Sequence, residues 1–379
     1  MTGVADTRPA AAIMRTKDAW MDARRTALLS RLKPFVSRLR PKLGLRNDHG
    51  HGATRRWEIA PGTRTVSPAA LYHPADLDRI TGVGSAIRDV ASERRRVVGG
   101  PVENAPTIAY ELKDAVIARG QIFTWRTYLQ VGMEPAPVMA SLMAPHYDHA
   151  SMASSWIGCR YFGHWLMDDL PRQLAVQSLA PPLSVLTQPT ASQRDYAAQL
   201  DLVIPVTPEA RVDRLIVIDD FGQNADKQDR YERLRALARD RYPTSRGQRV
   251  MLLRGATGKR RMLVNEAALA EALAAQGFIV LDPAETPVSH ILATCVDADL
   301  VVGVEGSQML NGALWARRGG AVLTIQPPHR FELIIKDLCD AIGLRYAFVV
   351  GEQQGENDFA VDIDQVLRMI DRIDAEAAG

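Results

Sequence analysis

The sequence predicts an α/β protein of two Rossmann-like domains facing each other across a cleft, with a basic amphipathic N-terminal extension and a C-terminal helix. Three observations predict it. From about residue 160 to residue 350, short runs rich in Val, Ile and Leu alternate with amphipathic segments of helical length, the pattern of β-α-β units. The polar stretch RYPTSRGQR at 241–249, holding Pro243 and Gly247, divides that series in two and reads as an interdomain linker. A chain of 379 residues, 46% apolar and 24% charged, has room for two packed domains.

The expected boundaries are an extension over 1–46, a first domain over 60–240, a second over 247–350, and the terminal helix within 351–379. No uninterrupted apolar run of about eighteen residues occurs, so no helix is expected to span a bilayer. The opening MTGVADTRPAAAIMRTK has no long apolar segment before a small-residue cleavage site, so no secretory signal is read and a cytoplasmic location is expected. Cys159, Cys295 and Cys339 are odd in number and far apart, which fits neither a disulfide framework nor a cysteine zinc site.

The extension comes first in the chain. Residues 1–46 hold eleven Arg or Lys against three acids, a surplus of eight cations, so in a chain of net charge +2 the remainder carries −6. Met14, Met21, Leu28 and Phe35 recur by sevens, with Leu32 and Leu39 beside them, so a helix here carries one apolar stripe along an arginine-rich cylinder. Pro34 is expected to kink it and Pro41 to end it. Such a helix can lie on an anionic membrane surface, with Trp20 and Phe35 at the headgroup boundary. Its stripe can equally pack on the protein's own body. Nucleic acid is not expected as a partner, because no aromatic interleaving or binding motif accompanies the charge.

Beyond it, PTIAYELKDAVIARGQIFTW at 106–125 alternates about Gly120 and predicts antiparallel strands at a sheet edge. The prolines between Gly132 and Pro145 predict an irregular crossing. GHWLMDDLPRQLAVQSL, SQRDYAAQL and DRYERLRALARD then read as helices, separated by the strands LSVLTQ and RLIVIDD. In the second series, VMLLR, FIVLD, DLVVGVE, AVLTIQ and YAFVV read as buried parallel strands alternating with four helices. The helix within 361–377 closes the chain.

Parallel sheets bind ligands outside the carboxyl ends of their strands, and three segments stand out there or in the facing half. In DLVVGVEGSQMLNGALWA, a buried strand runs into Gly303, Glu305 and Gly306 and a helix opens near Ser307, so bare amides can meet an anion such as a diphosphate. The same glycines also suit an ordinary strand-to-helix turn. The G-x-G-x-x-G dinucleotide spacing is absent. In RGATGKRR, Arg254 continues an apolar strand and Lys259, Arg260 and Arg261 follow, a set suited to a phosphate. In YFGHWLMDDLPR, His164 and Asp168 are four apart on one helix face, with Arg172 a turn later, and Pro171 frees a carbonyl near Met167. An imidazole oriented by a carboxylate can act as a general base, although both residues also suit purely structural roles. The D-x-D triplets Asp76/Asp78, Asp297/Asp299 and Asp362/Asp364 do not follow buried strands, so no metal site of that kind is expected, and no cofactor motif appears.

The ordered series GHWLMDDLPR, LLRG, RRMLVNE, GFIVLDP, DLVVGVEGSQMLN and AVLTIQPP resembles the family 61 glycosyltransferases over roughly residues 150–350. The resemblance implies a GT-B fold and metal-independent, inverting transfer of a hexose or pentose from a nucleotide-sugar donor to a glycan or polysaccharide acceptor. It places donor binding in the second domain, at Arg254, Arg261, Asn265, Gly303, Gly306, Ser307 and Asn311, and catalysis at His164 and Asp168. Where many members have histidine before the second loop glycine, this chain has Glu305, whose charge would repel a diphosphate unless turned away, protonated or bonded to ribose or sugar hydroxyls. That departure also leaves open a catalytically inactive, membrane-associated assembly partner that keeps the fold.

Overall fold

The computed structural model describes residues 28–44, 49–84, 87–244, 246–255 and 261–378. In chain order the first half holds strands β1 (Arg55–Ala60), β2 (Thr63–Ser67), β3 (Gly100–Asn104), β4 (Thr107–Ala118), β5 (Gln121–Phe123), β6 (Tyr128–Gln130), β7 (His146–Met152), β8 (Pro182–Leu183) and β9 (Ala210–Asp219). The second half holds β10 (Arg249–Leu252), β11 (Ile279–Leu281), β12 (Leu300–Val304), β13 (Ala321–Gln326) and β14 (Arg345–Val350).

The second sheet runs β11-β10-β12-β13-β14 with every pair parallel. Its strands are near-continuous aliphatic runs, and β12 and β13 are buried at every residue because helices cover both faces. Each expected strand of this half is present, and the helices Glu266–Ala275, Val288–Cys295, Leu310–Ala313 and Ile334–Ile342 fall between them. The chain reverses its direction of winding between β10 and β12. Side chains just past the carboxyl ends of those two strands therefore meet over an open crevice.

The first sheet differs from the parallel series expected for it. It is mixed, ordered β6-β5-β4-β9-β7-β8 with β1 also on β4. RLIVIDD lies in β9, which pairs antiparallel with β4 from Ile108↔Asp219 to Ile117↔Ala210. LSVLTQ contributes only Leu183 to the two-residue β8. A local run of apolar residues carries no information about its partner, and the long β4 supplies direct antiparallel pairing that a β-α-β reading overlooks.

Helices join the two sheets. Leu170–Val176 turns Ala175 and Val176 toward Ala109, Ile216 and Ile218 of the first sheet. Its Leu170 and Leu174 join Tyr231, Leu252, Leu292, Trp315 and Phe331 in one apolar core that continues into the second half. Tyr196 stacks on Trp315 at 5.9 Å within that core. Residues 70–97, grouped by sequence with the first half, lie against the second sheet: Leu71 exchanges backbone hydrogen bonds with Tyr346 and Phe348, at 2.9 and 3.0 Å. The terminal helix Ile363–Ala378 buries Val366, Met369, Ile370 and Ile373 against the other face of that sheet.

Of the extension, Met14, Trp20 and Met21 lie outside the described residues. Its described part is helical over 28–30, turns at Arg31 and Leu32 and resumes as the helix Lys33–Leu39, so the helix is interrupted at the expected place and Pro34 stands in the first turn of the second piece, where no intrahelical donor is lost. Pro41 opens a separate 3₁₀ turn, Pro41–Leu43.

Candidate active site

Pro171 shapes the first half of the site. Having no N–H, it interrupts the helical ladder, and Trp165–Asp169 form a π-helical turn between Phe162–His164 and Leu170–Val176. The carbonyl of Met167, expected to be freed, accepts a hydrogen bond of 2.8 Å from the Tyr231 hydroxyl. The wider turn still brings His164 and Asp168 together, with Nδ1 and Oδ2 2.7 Å apart. It also swings Arg172 off that face. Arg172 Nη1 donates to the Ile218 carbonyl at 2.7 Å, and the expected trio is a pair.

The other carboxylate oxygen of Asp168 accepts a hydrogen bond of 2.6 Å from Lys227, which is fully buried on the helix Ala225–Arg241 and also donates to the Asp220 carbonyl at 3.0 Å. Burial pushes the Asp168 carboxyl up, but Lys227 and His164 override it and hold it below the ordinary value. Asp168 is thus an ionised acceptor, which assigns a proton to His164 Nδ1, so that in the neutral ring the lone pair is on Nε2. His164 lines a cavity of about 670 Å³, and Asp168 lies behind it.

The opposite wall comes from the crevice of the second sheet. Arg254 stands two residues past β10, its backbone N–H held at 2.9 Å by Glu266 Oε1 from the start of the next helix. Its Nη1 donates to the Glu305 carbonyl and to Gln308 Oε1, both at 3.1 Å. Burial, reinforced by the neighbouring Arg261, lowers its guanidinium to about 10, so it stays charged at neutral pH. Arg261 Nε donates to the same carbonyl at 3.3 Å. Arg261 Nη2 lies 2.9 Å from Glu305 Oε2, an ion pair off the hydrogen-bonding axis that leaves this buried oxygen without an aligned donor among the described residues.

Gly306 is required on two counts. Its φ of +150° disfavours a side chain, and a Cβ there would stand 2.0 Å from Arg254 Nη1. The absent Cβ is what lets the guanidinium lie against the loop. Ser307 follows, exposed at the start of the 3₁₀ turn Ser307–Met309, whose first N–H groups have no intrahelical carbonyl to bond. It touches the facing half: a Cβ on Gly163 would meet Ser307 Oγ at 3.0 Å.

His164, Arg254, Arg261, Glu305, Gly306, Ser307 and Asn311 therefore line one cavity. Asn311 is buried there and engaged, accepting from the Tyr196 hydroxyl at 2.9 Å and donating to the Gln308 carbonyl at 3.0 Å. Asn265 and Gly303 do not line it. Both polar atoms of Asn265 bond the backbone of Val361, at 2.8 and 3.1 Å, and Gly303 makes room for the Leu252 carbonyl and the Met309 sulfur, each 2.6 Å from where a Cβ would stand. Lys259 and Arg260 lie outside the described residues.

Sequence reasoning did not single out Lys227, Arg160, Arg330 or Glu332. Arg160 follows the first helical turn of the motif and spreads over the rings of Trp156 and Tyr161, at 5.2 and 5.5 Å. Arg330 and Glu332 pair at 2.7 Å just past β13, and burial together with the nearby Glu305 raises the Glu332 carboxyl. Their signal was their place after a buried strand in QPPHRFE, the same rule that selected Arg254. Lys227 carries no such signal. The cavity wall thus contains four arginines against two glutamates, an excess of two cations.

Four of the six D-x-D aspartates are ion-paired elsewhere: Asp76 with Arg79, Asp297 with Arg239, Asp299 with Arg317 and Asp362 with Arg368. Among the described residues the one cluster with metal-ligand geometry, His146, Asp148 and Asp213, is exposed on β7 and β9, and none of its residues lines the cavity. No described helix is long and apolar enough to cross a membrane. No curated protein matches the chain. Residues 162–323, which run from the first turn of the His164 motif through Arg254 and the Gly306 loop into β13, match the family model described as Glycosyltransferase 61, and this identifies the segment as a domain of that family.

Proposed function

We propose that this protein is an inverting glycosyltransferase that moves a sugar from a nucleotide-sugar donor to a hydroxyl of a glycan or polysaccharide acceptor. The observation that carries the reading is an uncommitted imidazole nitrogen, backed by Asp168 and Lys227, facing a cationic wall across one cavity. The family of residues 162–323 supports the reaction class. On this reading the two halves form a GT-B arrangement, with the parallel sheet holding the donor and the His164 side receiving the acceptor. The work is done in the cytoplasm.

The step is a direct displacement. His164 Nε2 takes the proton of the acceptor hydroxyl as its oxygen bonds the anomeric carbon, and the bond from that carbon to the diphosphate oxygen breaks with its electron pair on the diphosphate. Asp168 stabilises the imidazolium that forms, and it serves as a positioning residue because both its oxygens are already bonded. Arg254, Arg261 and the amides at Gly306 and Ser307 receive the charge of the leaving group. This cationic wall does the work assigned to a metal in other sugar transferases, and the two-cation excess matches a diphosphate diester. Glu305 is neutralised by Arg261 instead of repelling the donor, which weakens the case for an inactive assembly partner. Its undonated oxygen suits a ribose or sugar hydroxyl.

A thermal-shift panel of nucleoside diphosphates and nucleotide sugars tests the reading on the full chain, followed by release of nucleoside diphosphate with glycan acceptors present. One nucleotide family should raise the melting temperature, with the shift lost in Arg254→Ala. His164→Ala should keep the shift and lose turnover. The absence of a shift with every nucleotide, or wild-type turnover in His164→Ala, overturns it.

A further inference from the structure

The described part of the basic extension is mounted in the reverse of the usual sense. Lys33 is fully buried, with Nζ 2.6 Å from Asp114 Oδ2 and 2.5 Å from the Asp114 carbonyl, and Ser37 is buried with its hydroxyl donating to the Thr124 carbonyl at 3.1 Å. Of the apolar residues of the same helix, Pro34 is buried and Val36 half-buried, while Phe35 and Leu39 face outward with Leu32 just before them. Leu32 is 41% exposed, Phe35 47% and Leu39 38%, and Leu28 before them and Leu43 after them are more exposed still. A soluble surface helix does the opposite, burying its leucines and hydrating its lysines. Among the described residues, Leu28, Leu32, Phe35 and Leu39 of the stripe are therefore not packed into the protein's own body.

The exposed face continues onto a second segment. Arg31 and Ala140 are joined by hydrogen bonds in both directions, Arg31 Nε to the Ala140 carbonyl at 3.2 Å and Ala140 N–H to the Arg31 carbonyl at 3.1 Å, and Arg38 bonds the Ala136 carbonyl. Beside these contacts Val138 and Met139 are 57% and 49% exposed, and Met143 is 90% exposed. The Trp125 ring, under Lys33 Nζ at 5.4 Å, is 40% exposed at the edge of the same face.

We infer that this face, formed by residues 28–43 and 138–143 with Trp125, is a docking surface for an anionic lipid bilayer. The occupant is chosen by charge. The described residues 28–44 contain five Arg or Lys and no Asp or Glu, so this segment supplies the apolar face with a mainly cationic rim, to which Asp114, paired with the buried Lys33, and the exposed Glu134 are the acidic neighbours. A second copy of this chain would set one cationic rim against another, and the phosphates of a nucleic acid offer no apolar phase for Phe35 and Met143. A bilayer with anionic headgroups offers both at once, an acyl boundary for the apolar side chains and phosphates for the rim. Leu, Phe and Met enter that boundary while Trp125, Arg40 and Lys42 stay at headgroup level. Residues 136–143, tied by hydrogen bonds to the helix and continuous with β7, transmit the attachment to the first sheet.

Co-sedimentation of the full chain with vesicles tests this, comparing phosphatidylcholine alone with phosphatidylcholine carrying phosphatidylglycerol, at low and high salt. The protein should pellet with the anionic vesicles at low salt and partition at least ten-fold less onto the neutral ones. Arg40→Gln/Lys42→Gln should weaken partition about five-fold per charge removed. Phe35→Ser/Met143→Ser changes two exposed side chains, so it should keep the wild-type melting temperature while losing partition about ten-fold. Equal partition onto both lipids, no pelleting, or wild-type partition in both variants overturns the inference; the last result moves lipid binding to another surface. A concentration-dependent dimer that Phe35→Ser/Met143→Ser abolishes would assign the face to a second copy instead.

Discussion

Lys227 Nζ lies 2.6 Å from one oxygen of Asp168 while His164 Nδ1 lies 2.7 Å from the other, so a single buried carboxylate serves a cation behind it and an imidazole in front. The cation keeps the carboxylate charged, and the carboxylate fixes which nitrogen of the imidazole is free. On the proposed reading, stability and proton transfer both depend on this pair of contacts, and mutation can separate them.

Asp168→Asn should lower turnover about 10²–10⁴-fold, by losing the tautomer and the imidazolium's partner, with nucleotide affinity unchanged. It should also cost about 3–5 kcal/mol, because Lys227 is left buried without its anion. Adding Lys227→Met should restore much of that stability and none of the turnover. Denaturant unfolding and steady-state kinetics on the three variants check this; a double variant no more stable than Asp168→Asn would break the assignment.

The neighbouring carboxyl behaves in the opposite way. Burial raises Asp169 to about 7 despite Arg172 and the hydrogen bonds from Ser155. The folded state therefore holds a proton that the unfolded chain has released above about pH 4. Stability from this group is complete below pH 4 and is lost as pH rises through 7, at up to about 1.4 kcal/mol per pH unit. Asp169→Asn keeps an acceptor for Ser155 and has nothing to release. Its melting temperature should gain on the wild type between pH 5 and pH 8, and parallel curves would remove Asp169 as the source.

Glu305→Gln should strengthen binding of a bare nucleoside diphosphate several-fold, since Arg261 no longer spends its charge on Glu305. Binding of the intact nucleotide sugar should gain less, because the amide is a weaker acceptor for a hydroxyl than the carboxylate. Titration calorimetry with both ligands measures the ratio. An equal gain for the two would show that Glu305 does not touch the ribose or sugar.

Tyr231→Phe should cost about 1–3 kcal/mol by leaving the Met167 carbonyl buried and unbonded. Pro171→Ala supplies an N–H to the same ladder, so in that background the hydroxyl should matter less. The same change relaxes the π-helical turn and moves His164 relative to Asp168, which should lower turnover even if stability rises. Equal costs for Tyr231→Phe in both backgrounds would separate the hydroxyl from the proline.

The second sheet was legible because its strands are aliphatic runs with helices between them, a pattern that survives without knowing any partner. The first was not, since β4 and β9 are about a hundred residues apart and nothing local in RLIVIDD says that its neighbour runs antiparallel. His164 and Asp168 were legible as a pair because helical spacing joins residues four apart. Arg254, Gly306 and Ser307 were legible because they follow buried parallel strands. Lys227, 59 residues beyond Asp168, and the pairing of Glu305 with Arg261, 44 residues before it, were not.

The sequence by itself determined where the helices and strands of the second half lie, which residues end its strands, and that the N-terminal segment is at once apolar and cationic. All of these are properties of spacing and side-chain type along a local stretch of chain. The tertiary structure alone decided which carboxylate faces which cation, and so that Asp168 supports His164 and that Glu305 is neutralised. It also decided that the Lys33–Leu39 helix buries Lys33 and Ser37 while Phe35 and Leu39 stay exposed. Burial and charge pairing arise when distant segments exclude water from one another, and that exclusion is set by the packed fold.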